Sequence, residues 1–247
     1  MCYSILVKQD LEFLLREFGA TPSHTEFSQF ETLKQKWPKK IKDMAEHPRI
    51  YPGYYATVLV STKEGLKAVP MRYRLRPHWA EEEIPSKYNV FNARTDSLET
   101  RKSWKSIFMQ RHGLLVFDRF FEWVFDKKTG KKKVVAFKPN NQPYMWAPVL
   151  WDEWKVNDEG KLPNLFGDDS PSKESEKFSP KRILSFAVVT RDPPREVVEN
   201  GHDRCPAFIA RSQIENWLTP SRTDKTSIYR LLDSREPTTF ECLTADA

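Results

Sequence analysis

The sequence predicts an α+β domain dominated by antiparallel strands. Apolar runs of strand length recur along the chain, some with period-two alternation, and Gly, Pro and Asn turns separate them. The helical segments are short and do not alternate with the strands, and there is no Gly-rich phosphate loop. That pattern excludes a doubly wound nucleotide-binding fold.

Residues 3–7 (YSILV) suit a buried strand that begins almost at the amino terminus. LEFLLREFG repeats apolar positions at helical spacing and stops at Gly19, a usual helix end. The Lys-rich stretch 31–49, interrupted by Pro38 and Pro48, reads as a solvated surface helix and loop. Pro52-Gly53 marks a turn, and YATVLVST after it a strand. In GLKAVPMRYRLRPHW, alternation puts Arg72, Arg74 and Arg76 on one face and Met71, Tyr73 and Leu75 on the other. GLLVFDRFFEWVF and KKVVAFKP form a hairpin that turns at Thr129-Gly130. PYMWAPVLWDEW, RILSFAVVT and CPAFIA are further strands, and PREVVENGH, SQIENWLTP and TSIYRLLDS are short helices. Residues 157–181 mix Gly, Pro, Ser and charge, and read as a long flexible loop within a single domain spanning 1–247.

Composition narrows the function classes. A chain of 247 residues buries enough surface to hold a core without disulfides or metals. An aromatic content of 13% excludes a disordered chain, and the absence of an 18-residue apolar run excludes a spanning helix, so no membrane partner is expected. The terminus has no signal-peptide pattern, and the three cysteines are odd in number and far apart. Both point to a reducing interior: the cytoplasm, or the nucleus of a eukaryotic cell. The excess of 40 basic over 34 acidic residues, +6, favours a polyanionic partner. No C-x-x-C or H-x3-H spacing occurs, so neither a metal nor another cofactor is expected.

Four residues could carry chemistry. Removal of Met1 would leave Cys2 with both a thiol and a free α-amine, a 1,2-aminothiol that condenses with an aldehyde and closes a thiazolidine ring. Its amine and thiol titrate near neutrality, at about 8 and about 8.5. A chance residue in a frayed terminus is the plain alternative, and the strand-like YSILV argues against fraying. Glu122 shares a strand face with Phe120 and Val124 among further aromatics, a setting that raises a carboxyl pKa and suits proton transfer; the alternative is a pair with Arg119 at a sheet rim. His202 sits where a helix ends and a strand begins, a place that presents side chains into clefts, although an isolated histidine is commonly structural. Asn92-Ala93-Arg94 supplies an amide and a guanidinium for a carbonyl or sugar oxygen and a phosphate. Arg72, Arg74 and Arg76, with Trp79, Phe91 and Trp104 nearby, have the composition of a groove that tracks a single strand and stacks its bases. A solvent-facing basic strand is the alternative.

Met1-Cys2, YRLRPHW (73–79), Asn92-Ala93-Arg94, Phe121-Glu122-Trp123 and His202-Asp203-Arg204-Cys205-Pro206, in this order, resemble the SRAP family of abasic-site processing proteins. QPYMWAPVLWDEW resembles that family's strand pair ending in a Trp-rich turn. The resemblance implies a curved antiparallel sheet or open barrel with peripheral helices and a basic cleft. It implies self-removal of Met1 and covalent capture, as a thiazolidine, of the abasic-site aldehyde in single-stranded DNA, by a monomer acting in the DNA damage response. Cys2 is then the nucleophile, Asn92 holds the amine or the ring, and Glu122 moves protons in closing and opening it. His202 steadies the phosphate or the opened sugar, and Arg94 grips the backbone. The chain departs from the family pattern where Tyr3-Ser4 replace the usual Gly-Arg and where Asp96 replaces the Glu after Asn-Ala-Arg. Two other classes fit parts of the sequence: a non-covalent single-strand binding module, and an amino-terminal cysteine hydrolase, against which the arginine row counts.

Overall fold

A computed structural model describes residues 4–7, 10–39, 41–42, 47–125, 129–155, 182–234 and 238–245. Cys2 and the 157–181 segment lie outside the described residues. The chain runs β1 (Ser4–Val7), α1 (Leu11–Phe18), β2 (Thr21–Pro22), α2 (His24–Lys36), β3 (Arg49–Ile50), β4 (Tyr55–Thr62), β5 (Gly65–Tyr73), β6 (Asn92–Arg94), α3 (Lys102–Lys105) and β7 (His112–Phe125). It continues through β8 (Lys132–Pro139), β9 (Met145–Lys155), β10 (Arg182–Arg191), α4 (Arg195–Glu199), β11 (Cys205–Pro206), α5 (Ile214–Leu218), α6 (Lys225–Asp233) and β12 (Phe240–Ala245).

Five of these strands close a barrel. β4 pairs antiparallel with β5 and with β7, β7 with β9, and β9 with β10; β10 returns to β5 in parallel, at Ser185↔Arg72 and Phe186↔Tyr73. The curved, mainly antiparallel sheet is therefore a closed ring. Its strands read as nearly continuous apolar runs because both faces are covered. Val58, Met71, Phe117, Val149 and Phe186 point into one core, whereas Leu59, Ala68, Leu114, Leu150 and Ala187 point to a second. That second core is closed over by Leu14 of α1, Trp217 of α5 and Ile228 and Leu231 of α6. No helix among the described residues is long and apolar enough to cross a membrane.

The closure depends on a close approach of β4 and β7 at Gly113. A Cβ there would stand 2.8 Å from Val58 Cγ1 and 3.1 Å from Leu59 O, which only glycine tolerates. Beside it, Trp217 Nε1 donates to Gly113 O at 2.8 Å, and its ring stacks on His112 with centroids 3.8 Å apart. His112 Nε2 accepts from the Met109 N–H, so Nδ1 carries the proton and donates to Trp217 O at 2.7 Å. Burial holds the His112 pKa down to about 4. The unfolded chain therefore binds a proton below about 6.5 that the folded chain refuses until about pH 4, so stability falls as the pH falls through that window. The loss from this group reaches about 3 kcal/mol near pH 4. Urea unfolding at pH 7 and pH 4 should show it, with a smaller pH dependence in His112→Asn.

Three segments differ from expectation. CPAFIA keeps only the two ladder residues Cys205 and Pro206, because the chain then turns to deliver Ala207 and Ile209 to the outer core. The Lys-rich stretch is partly the end of α2, which starts earlier, at His24, and buries Phe30 and Leu33. β12, which the sequence reading passed over, pairs with β8 along Phe240↔Pro139 to Ala245↔Val134.

Candidate active site

Glu122 lies in the second half of β7, beyond the barrel closure, where the strand pairs with β1 on one side and β8 on the other. Period-two alternation puts it on the inner face with Phe120 and Val124, and it is wholly buried, 0% exposed. Arg119 alternates to the opposite face, in register with Leu6. The partner of the Glu122 carboxylate is instead His202, whose Nε2 stands 3.1 Å from Oε2.

His202 is delivered by the end of α4. Gly201, at φ +89°, takes the left-handed conformation that stops the helix, and the His202 N–H donates back to Val197 O. The imidazole Nδ1 faces the Arg204 main chain, 2.9 Å from its carbonyl oxygen and 3.2 Å from its nitrogen. With its proton on Nε2 the ring holds that N–H at ion-pair distance from Glu122, outside hydrogen-bond alignment, and accepts from the Arg204 N–H. With the proton on Nδ1 it donates to Arg204 O, and Nε2 is then an acceptor facing Glu122. A small rotation of either side chain would align carboxyl and ring for proton transfer. Burial lowers the His202 pKa, which keeps the ring neutral near pH 7 and available as a base.

Asn92 and Arg94 reach the same end of the molecule along β10. Past the barrel, β6 takes over one edge of β10, at Val188↔Asn92 to Thr190↔Arg94, and β11 takes over the edge left by β9, at Thr190↔Pro206 and Arg191↔Cys205. Asn92 is buried, and its N–H donates to Asn89 Oδ1 at 3.0 Å. Arg94 Nε donates to Asp96 Oδ1 at 3.0 Å, and Asp96 also lies 3.5 Å from Arg204 Nη2. Arg204 in turn pairs with Asp192. An ion-pair chain therefore ties the Asn-Ala-Arg segment to the His202 segment, and the Asp96 side chain is its link. The Arg94 side chain remains 43% exposed at the rim.

Arg72, Arg74 and Arg76 do not lie on an open face. All three converge on Glu83, at 3.0, 3.5 and 3.8 Å. Arg76 has no exposed side-chain surface: its guanidinium lies 3.8 Å from the Trp154 ring centroid, and burial lowers its pKa to about 10. The reason is backbone geometry. β5 ends at Tyr73, and Arg74 adopts φ +126°, so the alternation that would have kept the row on one open face breaks. Arg74 Nη2 then donates to Ile84 O and Arg76 Nη2 to Glu81 O, which makes the row a brace for the 74–91 loop. Trp79 is half-buried, with Lys102 Nζ 3.9 Å from its ring centroid.

Comparison with known proteins agrees with this architecture. The family model described as SOS response associated peptidase (SRAP) matches residues 1–246. The chain belongs to the SRAP family. Among curated SRAP relatives, the abasic site processing protein YoqW of Bacillus subtilis is 22% identical over 213 residues, 84% of each chain. The abasic site processing protein HMCES of Pongo abelii is 22% identical over 193 residues, which is 71% of this chain and 52% of that protein. A crystal structure of a Bacteroides thetaiotaomicron protein superposes with a TM-score of 0.72 at 17% identity, covering 99% of this chain and 92% of the other. A Bordetella bronchiseptica protein gives 0.67 at 16% identity over the full length of both.

In this SRAP chain the sequence reading missed the fastening role of Asp96, Arg204 and Glu83. For the first two a signal existed, since both lie inside quoted motifs with opposite charges. Glu83 lay unremarked in the acidic run Glu81-Glu82-Glu83 directly after the arginine row.

Proposed function

We propose that this protein processes abasic sites in single-stranded DNA by covalent capture through Cys2, once Met1 has been removed by the protein's own peptidase activity. The observation that carries the reading is the wholly buried Glu122, on a strand hydrogen-bonded to β1 and 3.1 Å from His202. Ser4, the second residue after Cys2 in the chain, is in register with Phe121, the neighbour of Glu122.

The chemistry is a condensation. The α-amine of Cys2 attacks the aldehyde carbon of the opened sugar and gives a carbinolamine, whose hydroxyl leaves as water on receiving a proton. The thiol then adds to the imine carbon, and its proton passes to nitrogen, closing a thiazolidine. Glu122, supplied through His202, gives and takes these protons; Asn92 holds the amine or the ring, and Arg94 and Trp79 bind the strand at the rim. The names of the curated relatives support abasic-site processing as the setting.

Intact-mass spectrometry tests the reading. The full chain should lack Met1 and, with a single strand carrying one abasic site, gain the strand's mass less one water in a denaturant-stable adduct. No adduct, or an equal adduct with an undamaged strand, would sink it.

A further inference from the structure

Among the described residues no acid neutralises Arg49, nor Arg119 in register with the same Leu6, and of these two only the Arg49 Nε finds a hydrogen-bond partner. Arg72, Arg74, Arg76, Arg94 and Arg204 each hold a carboxylate. Arg49, the first residue of β3, donates from Nε to Ser4 Oγ at 2.8 Å. Its guanidinium lies 3.9 Å from the Phe121 ring centroid and 5.4 Å from that of Tyr51. Among the described residues no carboxylate comes within ion-pair distance of it. The stack on Phe121 and the Nε bond fix the plane of the guanidinium. Its Nη edge is then presented as a fork matched to an anion with two oxygens.

The position of that fork follows from the register. Leu6 of β1 pairs with Arg49 on one side and Arg119 on the other, and Ser4 pairs with Phe121. The half-buried Arg49 cation therefore stands over Phe121, on the strand face that Arg119 shares and opposite the Glu122 carboxylate, and is hydrogen-bonded to Ser4. A half-buried guanidinium without a counter-charge has given up hydration that an anionic ligand would restore.

We propose that Arg49 grips a phosphate of the DNA strand adjacent to the abasic sugar, and so sets where the aldehyde stands relative to Cys2. Arg49 is a binding residue and transfers no proton. The assignment rests on the reading of the site given above.

Equilibrium binding of the full chain to an undamaged single strand, followed by fluorescence anisotropy across salt concentrations, tests it first. Arg49→Ala should weaken binding about tenfold to a hundredfold. It should also reduce the log–log salt slope by about 0.7, the value for one phosphate on a single strand. Arg49→Lys should restore the slope but only part of the affinity, because lysine offers charge without the fork. In a second arm, one phosphate beside the abasic sugar is replaced by a neutral methylphosphonate, on the 5′ or the 3′ side. At the gripped phosphate, the wild-type adduct rate should fall as far as it does in Arg49→Ala, and the two changes together should cost no more than either alone. An unchanged salt slope in Arg49→Ala, or fully additive losses at both phosphates, would overturn the proposal. If the wild type binds the strand but forms no adduct, the covalent reading fails by itself, and the salt slope still decides Arg49.

Discussion

Cys2→Ala is expected to abolish the denaturant-stable adduct with abasic single-stranded DNA. The variant keeps an α-amine, so it can still form an imine with the opened sugar, but no thiol remains to close the ring. Imines hydrolyse readily, and the adduct should survive denaturation only when it is reduced with borohydride during the reaction. Cys2→Ser should behave in the same way, because an oxazolidine reopens far more easily than a thiazolidine. Comparing intact masses with and without borohydride therefore separates the two atoms of the nucleophile. A denaturant-stable adduct of undiminished yield in Cys2→Ala would eliminate Cys2 as the capturing residue.

Glu122→Gln has the second largest expected effect, a slowing of adduct formation by about a hundredfold to ten-thousandfold, the usual range for a positioned acid–base group. Glutamine preserves the volume of a wholly buried side chain and can still bond His202, so the fold should be retained. What it cannot do is give up or accept the transferred proton. Because the proposed mechanism passes one proton between Glu122 and His202, 3.1 Å apart, their variants should be strongly non-additive: Glu122→Gln combined with His202→Gln should be little slower than the worse of the two. Quenched time courses across pH 6–9 would measure this. The reverse reaction should slow by the same factor as capture, because catalysis leaves the equilibrium between free and trapped aldehyde unchanged. Equal rates in Glu122→Gln and wild type at every pH would remove the carboxylate from the mechanism.

The strands of the barrel were legible in the sequence because they are simple, whereas their closure into a ring was not. LLVF of β7 and FAVV of β10 are apolar on both faces, and no short amphipathic helix could satisfy that pattern. The facing of Glu122 followed from the same arithmetic, since positions 120, 122 and 124 share one side of a period-two strand. Its pairing with His202 lay beyond local reading, because 80 residues separate them and only the β10–β11 ladder brings the second segment back. The arginine row failed for a different reason. Periodicity assigns a face but not a depth, and the positive φ at Arg74 turns an apparently open face against Glu83. β12 was missed because Glu241, Cys242 and Thr244 dilute its apolar signal, leaving Phe240 to anchor it in the inner core. Arg49 was hidden in the opposite sense: among so many lysines its charge looked ordinary, and only the register with Leu6 sets it apart.

β10 works as a splice between scaffold and chemistry. Its earlier residues are clamped by β9 and β5, and its last four, Val188 to Arg191, are shared between β6 and β11. Sliding this strand by a single residue would turn Phe186 and Val188 out of the core and displace Asn92 and the His202 segment in the same movement. The end of the molecule that carries the proposed site therefore has no independent freedom to drift. It inherits the stiffness of the ring beneath it, and on heating it should keep its shape until the whole domain melts.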